Sequence, residues 1–265
     1  MLMSWNILAP SLVEDKNQQE WMSWGNRVNA IIKCIKDVNP DYLFLQEVPL
    51  DSFELDFAEL LVAGNYQHAR HIPNKNRTLE FGNVTLWKTG KLVKVVQKSR
   101  VLHVTLLFNG VPVTLANAHL PAGNGETGYE MRLLHLKSCA AIWKDDLHVV
   151  FGGDLNDSVW NPFGIAFDLR NLGFFVDETT KATCYSKRSG FLHNLDHVMS
   201  RSADITMTFY PLYTNIKPSD LPLPNLPSDH LPVCYKLTCH SSNSVSSGNI
   251  QLLSITKPST SPDLS

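Results

Sequence analysis

The sequence predicts an α/β fold, with one catalytic domain over residues 1–240 followed by a short tail. Three observations carry that expectation. Apolar residues at helical spacing alternate along the chain with short apolar runs of strand length. The middle is dense in β-branched and aromatic residues broken by turn signals. Six short polar signatures follow one another in order, each beside an apolar run.

Residues 3–9 read as a first strand. Trp24, Val28, Ile31, Ile32, Ile35 and Val38 then recur at helical spacing, which predicts an amphipathic helix over 21–38 that Pro40 ends. Residues 41–46 suit a buried strand. Asp51 or Ser52 caps a helix reaching Ala63, with Gly64 as its stop. Strands are expected at 82–88, 91–97, 101–108 and 111–118. Asn109-Gly110 joins the last two, because a type I′ turn needs φ > 0 at both central positions and this pair tolerates it. Thr127 and Glu130 match a capping box, opening a helix to about Lys144. A buried strand over 147–151 ends at Gly152-Gly153-Asp154. A helix over 162–172 is terminated by Gly173, and short strands and loops follow to Thr238, including a Pro-rich loop over 211–227. The tail over 241–265 is rich in Ser, Asn, Thr and Pro. It is expected to be disordered, because it cannot bury enough apolar surface to offset its ordering entropy.

At 265 residues and 43% hydrophobic the chain can bury a large core. Its net charge of −2 excludes a basic nucleic-acid coat, so any grip on a polyanion is local or made through a metal. The five cysteines are scattered and form no C-x-x-C pair. They are read as buried hydrophobes in a reducing compartment, cytoplasmic or otherwise intracellular. No segment is long and apolar enough to suggest a membrane span, and no obligate protein partner is evident. The chain begins almost on a motif, which leaves room for an upstream segment.

The signatures are Trp5-Asn6-Ile7, Leu45-Gln46-Glu47-Val48, Asn117-Ala118-His119-Leu120, Gly153-Asp154-Leu155-Asn156, Leu195-Asp196-His197-Val198 and Ser228-Asp229-His230. A lone carboxylate at a strand end is usually a solvated charge or a cap. Five oxygen donors after successive strands (Asn6, Glu47, Asp154, Asn156 and Asp229) point instead to Mg²⁺ or Mn²⁺, which take oxygen ligands. His119 and His230 add imidazoles, and Asp196 is available to orient the His230 ring. A carboxylate-held imidazole can donate to a phosphoryl oxygen. Asp154 can hold or deprotonate an attacking water that Asn156 orients, and a metal on Glu47 can stabilise the leaving oxygen. His197 occupies a slot that an aromatic would fill equally well.

Taken in order over about 240 residues, these motifs resemble the endonuclease/exonuclease/phosphatase superfamily. The resemblance implies a four-layered α/β sandwich with two central mixed β-sheets flanked by helices. It further implies Mg²⁺- or Mn²⁺-dependent phosphoester hydrolysis, with Glu47 as main metal ligand, His230 on the scissile phosphate, Asp196 orienting it and Asp154 activating water. Met3-Ser-Trp-Asn-Ile-Leu-Ala9, the helix with Trp24 and Arg27, and Leu223 to Leu231 are similar to the nocturnin/deadenylase branch, which includes the 2′-phosphodiesterases. The chain departs from that branch before its central strand, where it has Phe81-Gly82-Asn83-Val84. Asn83 there matches a Gly-Asn variant seen in other branches, and the resemblance implies a contact of Asn83 with the phosphate.

For substrate, the basic stretch from Arg70 to Arg77 could hold phosphates, and Trp160, Phe163 and Tyr185 are candidates for stacking on bases, against the bland readings of solvated loop and core. The glycine-rich stretch 121–128 is read as a connector. The sequence thus predicts a metal-dependent phosphodiesterase acting on RNA, of 3′-exoribonuclease, deadenylase type. The alternatives are the same chemistry on abasic or tyrosyl-linked DNA, a phosphoinositide or a small nucleotide, or a catalytically dead scaffold.

Overall fold

The fold was analysed in a computed structural model, which describes residues 1–13, 19–72, 80–123, 125–158, 161, 164–177, 181–186 and 190–240. The 241–265 tail, Arg77, Trp160 and Phe163 lie outside the described residues. In chain order the elements are β1 (Leu2–Asn6), α1 (Trp24–Val38), β2 (Tyr42–Pro49), α2 (Phe53–Asp56), α3 (Ala58–Ala63), β3 (Gln67–Arg70), β4 (Phe81–Trp87), β5 (Lys91–Lys98), β6 (Val101–Phe108) and β7 (Val111–His119). Then come α4 (Gly125–Ala140), β8 (Val149–Asp154), α5 (Ala166–Asn171), β9 (Cys184–Ser186), β10 (Phe191–His193), β11 (Asp196–Arg201), β12 (Ile205–Tyr210) and β13 (Val233–Cys239). Among the described residues no helix is long and apolar enough to cross a membrane.

Two mixed sheets form the centre. One runs β12-β13-β1-β2-β4-β3 and the other β11-β8-β7-β6-β5, with β9 and β10 as a separate hairpin. Strand periodicity sorts the side chains into layers. Met3, Trp5, Leu43 and Leu45 face outward and pack on Val28, Ile31 and Ile35 of α1. Ala116, Ala118, Phe151 and Met199 face outward from the second sheet onto Leu136 of α4 and Leu169 of α5. Leu2, Phe44, Leu102, Leu115, Val150 and Val198 fill the space between the sheets. The result is the expected four-layered sandwich.

Several element ends differ from the sequence reading. The α1 helix stops at Asn39, which adopts φ +52 and returns its N–H to the Ile35 carbonyl, so the stop precedes Pro40. The expected 52–63 helix is broken in two at Phe57, and Ser52 spends its hydroxyl on the Asp56 carboxylate rather than on a cap. The helix does end at Ala63 with Gly64 after it, as expected, but Gly64 takes φ −83 rather than a left-handed conformation. It is small because a Cβ there would sit 2.7 Å from the Tyr66 ring. Thr127 lies two residues inside α4, so it does not cap it, and α4 ends at Ala140, four residues before Lys144. The Asn109-Gly110 turn is as expected, with φ +49 and +87.

The strand ends matter most for the site. β2 and β8 run on through their signatures rather than stopping before them, so Glu47 and Asp154 are strand residues. Across the second sheet His119 pairs with Asp154, and Asp154 with Asp196. Residues opposite one another on neighbouring strands share a face. These three side chains therefore form one row on the inner face, at the same end as Asn6 and Gln46, which pair with each other in the first sheet.

Candidate active site

Glu47 reaches the site through a β-bulge. Leu45 pairs with Val84 and Val48 with Gly82, so β2 has one residue more than β4 in this interval. Glu47 has φ +60, and Val48 returns to the outer layer beside Leu45. Without the extra residue, alternation would turn either Gln46 or Glu47 away from the centre. With it, Gln46 Nε2 donates to Asn117 Oδ1 at 2.8 Å, while Glu47 is free to face Asn6.

Asn6 Nδ2 donates to Glu47 Oε1 at 2.9 Å and to Asp154 Oδ2 at 3.0 Å. Its Oδ1 accepts from the Leu8 N–H at 3.0 Å. Asn6 thus turns its nitrogen, not the oxygen expected for a metal, toward the carboxylates. Two flanking carboxylates demand a donor, and the nitrogen supplies it. Leu8 takes φ +57, which turns the chain back so that the Ala9 N–H reaches Glu47 Oε2 at 2.8 Å. Asp154 Oδ1 accepts the Asn156 N–H at 2.9 Å, and Asn156 Nδ2 is spent on the Leu120 carbonyl. Asn156 thus fixes the Asp154 carboxylate through its backbone.

The imidazoles flank this acidic pair. His119 Nε2 lies 3.8 Å from Glu47 Oε1 and 3.7 Å from Asp154 Oδ2. His230 Nε2 lies 3.9 Å from Asp154 Oδ2, and its Nδ1 is 2.8 Å from Asp196 Oδ2. Thr183, which the sequence reading passed over, donates its hydroxyl to the same Asp196 oxygen at 2.6 Å. Burial alone would lower the His230 pKa. The nearby Asp196 and Asp154 carboxylates outweigh it and hold the ring well above its ordinary value. The site therefore offers a carboxylate base beside a cationic donor.

The loop bearing His230 is fixed from below. The Ser228 hydroxyl donates to the Asn6 carbonyl at 2.6 Å, and the Trp5 indole donates to the His230 carbonyl at 2.9 Å. Arg27, wholly buried on α1, donates to the carbonyls of Pro227, Ile7 and Leu8, so one guanidinium joins the end of β1 to the His230 loop. Burial lowers its pKa to about 10 against the pull of Asp229 and Glu47, which still leaves it charged at neutral pH.

Other expected residues stand apart. Asp229 groups with Cys184 and His230. Asn83 is buried, and both its amide hydrogens go to the carbonyls of Arg100 and Asn117, so a phosphate contact would require breaking one of them. Arg70 donates to the Leu50 carbonyl and lies 3.8 Å from Glu54, which gives its guanidinium structural partners. His197 is buried against the carbonyls of Asp157 and Asn194 and kept below its ordinary pKa by that burial, as its core reading required. Tyr185 is half-buried on β9. Phe191 on the paired β10 is 69% exposed.

Glu47 and Asp154 also fit a hard divalent cation. Both are buried acceptors, and among the described residues no Lys or Arg nitrogen pairs with either. Mg²⁺ is commonly bound through one or two such carboxylates while retaining waters.

A model of the Endonuclease/Exonuclease/phosphatase family matches residues 3–230. The chain belongs to that family. It is therefore a phosphoric ester hydrolase of the nuclease and phosphatase kind. Solved structures share its fold at low identity. ANGEL2, a 2′,3′-cyclic phosphatase, is 18% identical, with a TM-score of 0.72 over 89% of this chain and 94% of its own. The human nocturnin catalytic domain is 21% identical, with a TM-score of 0.64 over the same shares. Truncated TDP2 from Caenorhabditis elegans is 22% identical, with a TM-score of 0.58 over 88% and 94%. No curated protein matches the chain by sequence.

Proposed function

We propose that this hydrolase cleaves phosphoesters at the 3′ end of RNA, as a Mg²⁺- or Mn²⁺-dependent 3′-exoribonuclease of deadenylase type. The observation that carries the chemistry is the His230–Asp196 pair, 2.8 Å apart and aimed at the Asp154 carboxylate. Held cationic, His230 donates to a phosphoryl oxygen and stabilises the charge that develops there. Asp154, fixed by Asn6 and the Asn156 N–H, accepts a proton from the attacking water. Asp196 and Thr183 set the orientation of the His230 ring, and His119 closes the opposite side. Glu47, with Asp154 beside it, would hold the cation, which when bound supplies Lewis-acid stabilisation of phosphate oxygens. Asp229 takes no part in holding it in this reading.

RNA is favoured by one further support. ANGEL2, which shares the fold, is a 2′,3′-cyclic phosphatase, and a 2′,3′-cyclic phosphate forms only on ribose. That same likeness supports a second reading, hydrolysis of a cyclic phosphate at an RNA end.

The test is product analysis with Mg²⁺, with and without EDTA. The substrates are 5′-labelled RNA ending in adenosines, the same RNA ending in a 2′,3′-cyclic phosphate, a matched DNA, and 2′,5′-linked oligoadenylate. A metal-dependent ladder from the RNA 3′ end is the expected result. Opening of the cyclic phosphate without a ladder selects the second reading. Cleavage confined to DNA, or of none of these, overturns both.

A further inference from the structure

Cys184 opens β9 and sits opposite His230 across an isolated antiparallel bridge. The Leu231 N–H closes that bridge on the Thr183 carbonyl at 2.7 Å. Asp229 precedes His230 and is half-buried. The Cys184 sulfur, an Asp229 carboxylate oxygen and a His230 ring nitrogen all lie within 4.8 Å of one another. The hydrolytic steps described above use neither the thiol nor Asp229.

This donor set differs in kind from Glu47 and Asp154. Magnesium takes oxygen ligands, whereas thiolate and imidazole favour zinc and its chemical relatives. Three protein ligands with one open position is a common arrangement for such an ion. Donors on a tetrahedral zinc ion lie roughly 3.5 Å apart, so the three side chains need only a small inward rotation. The backbone bridge fixes two of them, and half-buried Asp229 has the freedom to supply that movement.

We propose that Cys184, Asp229 and His230 form a binding site for a thiophilic divalent cation of the zinc class, whose occupation withdraws His230 from catalysis. Binding sends the thiol proton, and the proton on the coordinating His230 nitrogen, to solvent. Thiolate, carboxylate, neutral imidazole and water then surround the dication. Asp196 holds Nδ1 at 2.8 Å, so coordination falls to Nε2, which then has no hydrogen to give a phosphoryl oxygen, and binding is inhibitory. The inhibition rests on the phosphoesterase reading, whereas the binding does not.

The experiment uses the full chain, freed of metals and then saturated with Mg²⁺. Co²⁺ is titrated as a spectroscopic stand-in, and thiolate-to-cobalt charge-transfer absorption is recorded. Zn²⁺ inhibition of Mg²⁺-supported hydrolysis is measured in parallel. The wild-type chain is expected to show the band at one equivalent. Cys184→Ser and Cys184→Ala are expected to lose it and to raise the Zn²⁺ concentration for half-inhibition at least tenfold, with hydrolysis in Mg²⁺ alone unchanged. Asp229→Asn weakens Co²⁺ binding in the same titration and serves where a Cys184 variant does not fold. Exposed Cys239, next to His240, is the competing thiol. A band that survives the Cys184 or Asp229 changes, or that vanishes only with Cys239→Ser, overturns the site. Equal Zn²⁺ inhibition of wild-type and Cys184 variants overturns the inhibitory role. A chain that binds Co²⁺ through Cys184 but hydrolyses none of the phosphoesters keeps the site and rejects the functional reading.

Discussion

Asn6 gives one amide hydrogen to Glu47 and the other to Asp154, and so ties the two sheets together at their acidic edge. Without that amide the two carboxylates would face each other across a buried gap. Asn6→Ala is expected to lower stability by about 1–3 kcal/mol, the cost of leaving buried polar groups unsatisfied. Saturating Mg²⁺ should return most of the loss. Chemical denaturation with and without the ion checks this, and an equal deficit in both conditions would reject the account.

Asp154→Ala is expected to lower turnover at least a hundredfold while the fold survives, as loss of a general base does. Steady-state rates and circular dichroism measure the two effects separately. Near-wild-type turnover would remove Asp154 from its role.

Thr183 acts at one remove, through the Asp196 oxygen that holds His230. Thr183→Val should reduce kcat by about tenfold with KM little changed, in line with losing an interaction made in the transition state. Thr183→Ser, which keeps the hydroxyl, should recover most of the rate. A KM effect alone would mark Thr183 as a structural or binding residue.

Stability should fall in mild acid. Burial lowers the pKa of His103 from 6.5 to about 4. His71 is lowered likewise, by burial first and then by His119 and Arg100. Between those values the unfolded chain binds the proton and the folded chain does not, so stability rises with pH over that window and the contribution is complete above it. Each histidine contributes up to roughly 3 kcal/mol. His103 also accepts from the Trp143 indole, so His103→Gln keeps an acceptor while removing the titration. Its melting temperature should fall less steeply than that of the wild type from pH about 6.5 to about 4.5. Identical slopes would sink the assignment.

Gly153 has φ +134, and a Cβ there would lie 1.9 Å from the Ala118 carbonyl oxygen. Gly153→Ala must part β7 from β8 at the row that carries His119 and Asp154. A loss of about 3 kcal/mol or more is expected from the strained backbone and the clash together. Equilibrium unfolding in urea measures it, and a change below about 1 kcal/mol would show that the strands can adjust.

Much of this was legible in the sequence because the signatures are local. Asn6, His119 and Asp154 each end a strand run whose periodicity assigns a face, Asp196 opens one, His230 comes just before one, and the sheets gather these ends together. What escaped was long-range or depended on a single residue of register. Nothing near Glu47 announces the bulge that turns it inward. Thr183 meets Asp196 only because the β9–β10 hairpin folds back over β11. The direction of the Asn6 amide is decided by two carboxylates from distant parts of the chain. Asp229 shares the chemistry of Glu47, and its meeting with Cys184 of the β9–β10 hairpin is set by the fold.

The crosslinks between the sheets have a consequence for how the protein fails. Asn117 Nδ2 donates to the Leu45 and Val84 carbonyls, and Gln46 returns a bond to Asn117, just beneath the catalytic row. The reacting groups therefore sit on the seam of the sandwich rather than on a movable flap. Amide hydrogens around Leu45, Val84 and Asn117 should be among the last to exchange with solvent, opening only when the whole molecule opens. Heat should then abolish hydrolysis and unfold the core at the same temperature, with no earlier inactivation step between them.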